Sequence, residues 1–279
     1  MGSPPSAIII GGSSGMGKAA AKEFVACGGS VLLCSRSLEK LKSAAEFVGG
    51  LPGQVETRQL DNTSEPQVKA FFESLAPDKY SALIVTALGR AVHGPFLGLE
   101  VEKARELFEG KLWGPWYCAK HGAPKLRDGG AIVLVSGVLC RRPGANCTPL
   151  GSANGAVEAL TRNLALELGP RLRVNCLSPG FVDTERFDHM PPERREAMLE
   201  ATADSLPLKR VGRPQDAGQA LHFLATNSFT TGVVLDVDGG HQVRQYAMPN
   251  DLYVRLKRER EASAGEDPDR GRGPRARAE

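Results

Sequence analysis

Residues 10–18 read Ile-Gly-Gly-Ser-Ser-Gly-Met-Gly-Lys, after an apolar run and before a helix-forming stretch. Glycines in such a turn let the backbone approach a pyrophosphate. The helix that follows offers free amide N–H groups and a partial positive charge. The chemistry this permits is phosphate binding through Gly11, Ser13, Ser14, Gly15, Met16 and Gly17. The strand–turn–helix context separates that reading from a plain turn. The second apolar run ends in Cys34-Ser35-Arg36-Ser37, without the carboxylate that would take a ribose 2′-hydroxyl. Ser35 can donate to a 2′-phosphate, and Arg36 can pair with it or stack on an adenine. The pattern favours NADP(H) over NAD(H); the bland alternative is a solvated arginine at a strand end.

Groups that could carry a reaction are sparse. CTPLGSANGAVEALTR (147–162) opens a helix, marked by the spacing of Val157, Leu160, Leu164 and Leu168. Its first turns from Leu150 hold no acid, base or nucleophile beyond one serine hydroxyl. Lys111, in FEGKLWG, is either a pocket lysine or a surface one. Asp183, in GFVDTERF, is either an acid that holds a cation or orients Lys111, or a helix N-cap. Arg141-Arg142 read as a solvated pair, with a clamp for an acidic substrate as the alternative. His93 reads as a loop histidine rather than a pocket residue. Cys140 and Cys147 have no adjacent base in the sequence and read as structural thiols. The six cysteines form no CxxC and the five histidines no HxH or HxxxH. Reduced thiols and no metal are expected.

Seven short apolar runs must position these groups: 6–12, 30–36, 54–61, 81–88, 130–137, 173–180 and 233–240. Most are continuously apolar, as for strands buried on both faces of a parallel sheet. Helical patterns such as LEKLKSAAEFV and QDAGQALHFLA lie between them. The alternation predicts one α/β domain over residues 1–246, a Rossmann-type doubly wound parallel sheet of seven strands. The polar, proline-broken stretch 184–208 is expected to be a mobile excursion over a site. Residues 247–279 read as a charged, largely disordered tail, helical at 250–262 and disordered over 263–279. Its arginines are interleaved with acids and no aromatic follows Tyr253, which argues against nucleic acid. The 279-residue chain has a net charge of only +3. It has no run near the ~18 apolar residues of a membrane span, and no basic region opens it. The expectation is a cytoplasmic protein with a small-molecule substrate and no nucleic-acid or membrane partner.

The glycine turn GGSSGMG, Asp61-Asn62, RVNCLSPGFVDT (173–184), PLKRVGRPQDAGQALHFLA (207–225) and TGVVLDVDGG (231–240) resemble the short-chain dehydrogenase/reductase family over about residues 6–241. The resemblance implies an adenine contact at Asp61-Asn62. It implies nicotinamide and phosphate contacts at Pro179-Gly180 and Thr184, and a cofactor loop ending at Gly89. It also implies a homodimer or homotetramer built by the helices after strands four and five, with Trp113, Trp116 and Val157 as contributors. Several family residues are replaced. The threonine before the first glycine is Ile10, and the Asn-Asn-Ala-Gly motif is Thr86-Ala87-Leu88-Gly89. The family's catalytic asparagine, serine, tyrosine and lysine fall on Lys111, Gly137, Leu150 and Asn154. Ser136, one residue early on a strand, is expected on the opposite face. The family tyrosine protonates the oxygen on which charge grows during carbonyl reduction, and Leu150 has no proton to give. Asn154 can still donate to the ribose, as the family lysine does. The sequence resembles a divergent branch without tyrosine and lysine, whose fungal members in indole-alkaloid pathways reduce iminium-type intermediates with NADPH. Two functions stay open: an NADP(H)-dependent reductase of an activated C=N or C=C bond, with Lys111, Asn154 and Asp183 as its polar groups, or a non-catalytic NADP(H)-binding protein.

Overall fold

All seven apolar runs form strands: β1 Ser6–Ile10, β2 Ser30–Ser35, β3 Val55–Gln59, β4 Tyr80–Val85, β5 Leu126–Val135, β6 Leu172–Pro179 and β7 Val234–Val237. The computed structural model describes residues 4–50, 54–89 and 91–243, together with Val254, Leu256, Arg258 and Glu259. The strands make one parallel sheet in the order β3-β2-β1-β4-β5-β6-β7. The chain winds outward from β1 to β3, then returns to β4 on the other side of β1. The crevice beyond the C-terminal ends of β1 and β4 is the switch point where such sheets bind ligands.

The central strands are apolar on both faces because helices cover both. On one face Phe24, Leu41, Leu221 and Leu224 pack against Ile9, Leu33, Ile84 and Val133. They come from helices α1 (Gly15–Ala26), α2 (Leu38–Val48) and α8 (Pro214–Thr226). On the other face Val68, Phe72, Cys118, Val157 and Leu160 pack against Ile8, Leu83, Ile132 and Leu134. They come from α3 (Glu65–Glu73), α5 (Gly114–Gly122) and α6 (Thr148–Leu168). Helix α4 (Val101–Phe108) runs into α5 through a π-helical turn, Glu109–Trp113. Pro115 explains the widened turn: it has no N–H to give the Lys111 carbonyl four residues back.

The stretch 184–208 departs from expectation. It carries a short 3-10 turn, Glu185–Phe187, and a fourteen-residue helix, α7, Pro192–Ser205. No residue of α7 is buried, so the helix leaves no apolar period in the sequence, and its prolines sit at the N-cap and first position, where they start helices. The chain divides into Met1–Gln242, the unit above, and Val243–Glu279. In the second unit Val254, Leu256, Arg258 and Glu259 are helical, within the helix expected at 250–262. The disorder expected over 263–279 lies outside the described residues. Among the described residues no helix is long and apolar enough to cross a membrane.

Candidate active site

The glycine turn closes over the end of β1. Gly11 has φ +86° and Gly15 φ +49°, both in the left-handed region that glycine adopts without strain. A Cβ at Gly17 would stand 2.5 Å from the Gly11 carbonyl oxygen and 2.7 Å from Thr86 Oγ1. Thr86, just past β4, donates its hydroxyl to the carbonyls of Ile10 (3.1 Å) and Gly11 (3.2 Å). The turn is thus tied down from β4, although Ile10 replaces the threonine that the resemblance leads one to expect. At the other side of the crevice Gly89, φ +71°, packs against Gly110 of the π-helical turn. At the end of β2, Ser35 Oγ donates to the Ser37 carbonyl (3.3 Å) and Arg36 is exposed. Asp61 Oδ1 accepts from the Thr63 backbone N–H (3.1 Å) and hydroxyl (2.8 Å). Asn62 is buried with Nδ2 unpartnered.

The start of α1 already holds an anion. The Gly15 N–H donates to Glu185 Oε2 at 2.8 Å, and Lys18 Nζ meets Oε1 of the same carboxylate at 2.6 Å. These contacts hold the Glu185 carboxyl below its ordinary range, against the opposing effect of burial. A cleft of about 280 Å³ opens here, lined by Gly15, Lys18, Phe47, Asp183, Thr184 and Glu185 among others. A helix terminus that binds one carboxylate through amide and lysine fits a phosphate by the same physics. The turn therefore fits the diphosphate of a nicotinamide dinucleotide. Thr184 borders the turn, its Cγ2 3.1 Å from where a Gly15 Cβ would stand, and Gly180 packs on Asp238.

Lys111 is buried, 4% exposed, and donates from Nζ to the carbonyls of Val135 and Ser136, both at 2.9 Å. Burial pulls its amine down to about 8, helped by the Arg186 charge. Asn154 is 2% exposed, with Oδ1 unpartnered, and its amide lies 2.9 Å from where a Gly137 Cβ would stand. Lys111 and Asn154 thus meet around the end of β5. Leu150, one turn before Asn154, is packed with Val92, Leu107 and Ala153. Where the resemblance leads one to expect a tyrosine hydroxyl, the structure has Leu150 in an apolar cluster.

Asp183 does not join them. Its carboxylate accepts from Arg195 Nη2 of α7 at 2.7 Å, and its N–H donates to the Gly212 carbonyl. It ties the loop after β6 to α7 and neither orients Lys111 nor caps a helix. Arg141 is likewise no substrate clamp. It donates to buried Glu158 Oε2 (2.7 Å), Ser178 Oγ (2.7 Å) and Gln242 (3.1 Å), and pairs with Asp236. Ser136 turns its hydroxyl to Glu158 on α6 (3.1 Å), the face Ile132 and Leu134 also take, and Gly137 lies against Asn154 of the same helix, so the two are not on opposite faces. β5 ends at Val135, so nothing holds Ser136 and Gly137 to strand alternation.

One pairing escaped the sequence. Cys147 Sγ lies 3.4 Å from His93 Nδ1, fifty-four positions away in the sequence. The signal that could have found it is the shared position of the two loops, after β4 and after β5, at the C-terminal edge of the sheet. Cys140 Sγ donates to Glu158 Oε1 at 3.0 Å, and burial and that carboxylate push its thiol up to about 12. Among the described residues no cluster of His, Cys, Asp and Glu could hold a metal ion.

The family profile described as enoyl-(acyl carrier protein) reductase matches residues 11–242. The chain is 30% identical to the 3-oxoacyl-[acyl-carrier-protein] reductase of Thermotoga maritima over 240 residues, 84% of this chain and 96% of that one. A solved small-chain dehydrogenase in complex with NADPH is 34% identical, with a TM-score of 0.72, over 86% of this chain and 99% of that one. The MalC reductase/Diels-Alderase of Malbranchea aurantiaca shares the fold, with a TM-score of 0.79 at 24% identity over 86% and 97% of the two chains. The chain belongs to the short-chain dehydrogenase/reductase family, with its Rossmann-type sheet and its oxidoreductase ancestry.

Proposed function

We propose that this chain is an NADP(H)-dependent reductase of a substrate that needs no proton from the position of Leu150: an activated C=N or C=C bond. The observation that carries the reading is the contrast between two ends of one crevice. The phosphate-binding turn is complete, down to the anion held at Gly15. The acid position on α6 is sealed by Leu150 in an apolar cluster. When bound, NADPH supplies a hydride. Reducing an iminium ion neutralises a charge instead of creating an oxyanion, so the apolar wall at Leu150 costs that reaction nothing. Asn154 Oδ1 is free to accept from substrate or ribose. Ser35 and Arg36, with no carboxylate beside them, support the 2′-phosphate over the bare ribose. The NADPH complex of the 34% identical relative supports the same cofactor.

A second reading is favoured by a different observation. Lys111, Asp183 and Arg141 are all committed to internal bonds, which suits an NADP(H)-binding protein without catalysis. In either case we propose a soluble cytoplasmic homo-oligomer joined along α5 and α6. Calorimetric titration with NADPH and NADH, followed by a screen of cyclic iminium ions, enones and simple ketones by absorbance of the reduced cofactor, separates the readings. Tight NADPH and weak NADH binding with iminium or enone turnover is the expected result. Binding without turnover selects the second reading. Turnover of simple ketones, or no binding of either dinucleotide, overturns the first.

A further inference from the structure

We propose that Cys147 with His93 forms a nucleophilic thiol site for an apolar, soft electrophile of the α,β-unsaturated carbonyl class. The pair has the two parts such a site requires first: a nucleophile and a base within reach. Cys147 Sγ and His93 Nδ1 are 3.4 Å apart. The Gly94 N–H donates to the Asn146 carbonyl at 3.0 Å and ties the two loops together. Asn146 itself stands at φ +62°, a left-handed conformation that asparagine tolerates, between the Gly94 contact and Cys147. The thiol is partly exposed, so a ligand can reach it.

The surroundings specify the ligand. Cys147, Leu150 and Asn154 recur at i, i+3 and i+7 and share one face of α6. Leu150 belongs to the apolar cluster with Val92, the neighbour of His93, and with Leu139. Farther down the same face the buried Asn154 Oδ1 has no partner. An apolar molecule with one polar end suits that stripe. Burial and the facing Arg186 charge hold the imidazole below its ordinary range, in its neutral, proton-accepting form. Burial holds the thiol in its protonated form. The resting pair is thus neutral, and the base acts as the bond forms. The S–H bond breaks and its proton passes to Nδ1. The S–C bond forms at the β-carbon while the C=C electron pair moves toward the carbonyl oxygen. The imidazolium then returns the proton to the α-carbon. The product is a thioether, with no net oxidation or reduction and no cofactor.

The other cysteines provide the control. Cys34, Cys118 and Cys176 are buried, Cys140 is bound to Glu158, and Cys27 is exposed with no imidazole hydrogen-bonded to it among the described residues. The full-length protein, without dinucleotide, is treated at pH 7 with sub-stoichiometric N-ethylmaleimide, and the adduct at each cysteine is followed by peptide mass spectrometry. Cys147 is expected to react at least about tenfold faster than Cys27. His93→Gln is expected to remove that lead and leave the rate at Cys27 unchanged. Cys147 reacting no faster than Cys27, or keeping its lead in the folded variant, overturns the proposal. The wild-type comparison decides alone if His93→Gln does not fold. No result here depends on NADPH, so failure of the reductase reading and failure of this one are read in different experiments.

Discussion

The amine of Lys111 sets a measurable term in the pH dependence of folding. Burial lowers it from the ordinary 10.5 to about 8, and its two acceptors are neutral carbonyls rather than a carboxylate. Between those two values the unfolded chain binds the proton more readily than the folded one. Stability from this group therefore rises with pH from about 8 to about 10.5, and the cost of burying the cation is fully present below pH 8. A difference of 2.5 between the two values corresponds to about 3 kcal/mol. Buried thiols such as Cys34 and Cys118, pushed up by burial, act in the opposite direction over the same range. The comparison must therefore be made against Lys111→Met. Urea unfolding at pH 8 and pH 10.5 should show wild type gaining on the variant by roughly this amount. An unchanged gap would mean that the amine is solvated in the folded state.

At the scale of elements, the start of the first helix is where the Glu185 carboxylate and a cofactor phosphate would compete. The 3-10 turn Glu185–Phe187 delivers the Glu185 carboxylate to the Gly15 amide, where a cofactor diphosphate would lie. Binding must displace it. Glu185→Gln removes the charge and keeps the shape, and is expected to tighten NADPH roughly two- to fivefold, the worth of a charge at a helix terminus. Calorimetry at low salt reads it, and weaker binding would show that Glu185 helps to hold the ligand. The strands and most helices were legible because burial on two faces writes continuous apolar runs, and burial on one face writes a 3.6-residue period. Helix α7 was not, because it buries nothing. The glycine turn was legible from Gly11 to Gly17 because backbone geometry demands those glycines. The partners of Asp183, Arg141 and Cys147 were not, because each lies on another element: Arg195 on α7, Glu158 on α6 and His93 in the loop after β4. Side-chain pairing across elements leaves no local period for a sequence to show.

For the molecule as a whole, the open question is what covers α5 and α6. A groove between them is lined by Trp116, Ala119, Ala123, Leu160, Leu164 and Leu168, with Lys120 at its edge. Trp113 and Trp116 are 40% and 43% exposed, their ring centroids 5.8 Å apart, and Trp113 stacks on Tyr117 at 6.3 Å. Single exposed apolar residues are ordinary, but two tryptophans beside a leucine-lined groove form a contiguous patch of the kind that marks an interface. Aromatic side chains dominate interface energetics when buried against a partner. The proposed homo-oligomer would cover this patch with a second copy of the chain, presenting the same two helices about a two-fold axis. Trp116→Glu would place a charge in the centre of that contact. Its side chain is too exposed for the change to damage the core. Light scattering should then show the mass of one chain in place of a multiple, with the helical circular dichroism unchanged. A variant that keeps the wild-type mass would move the interface away from α5 and α6 and leave the tryptophans facing something other than a copy of the same chain.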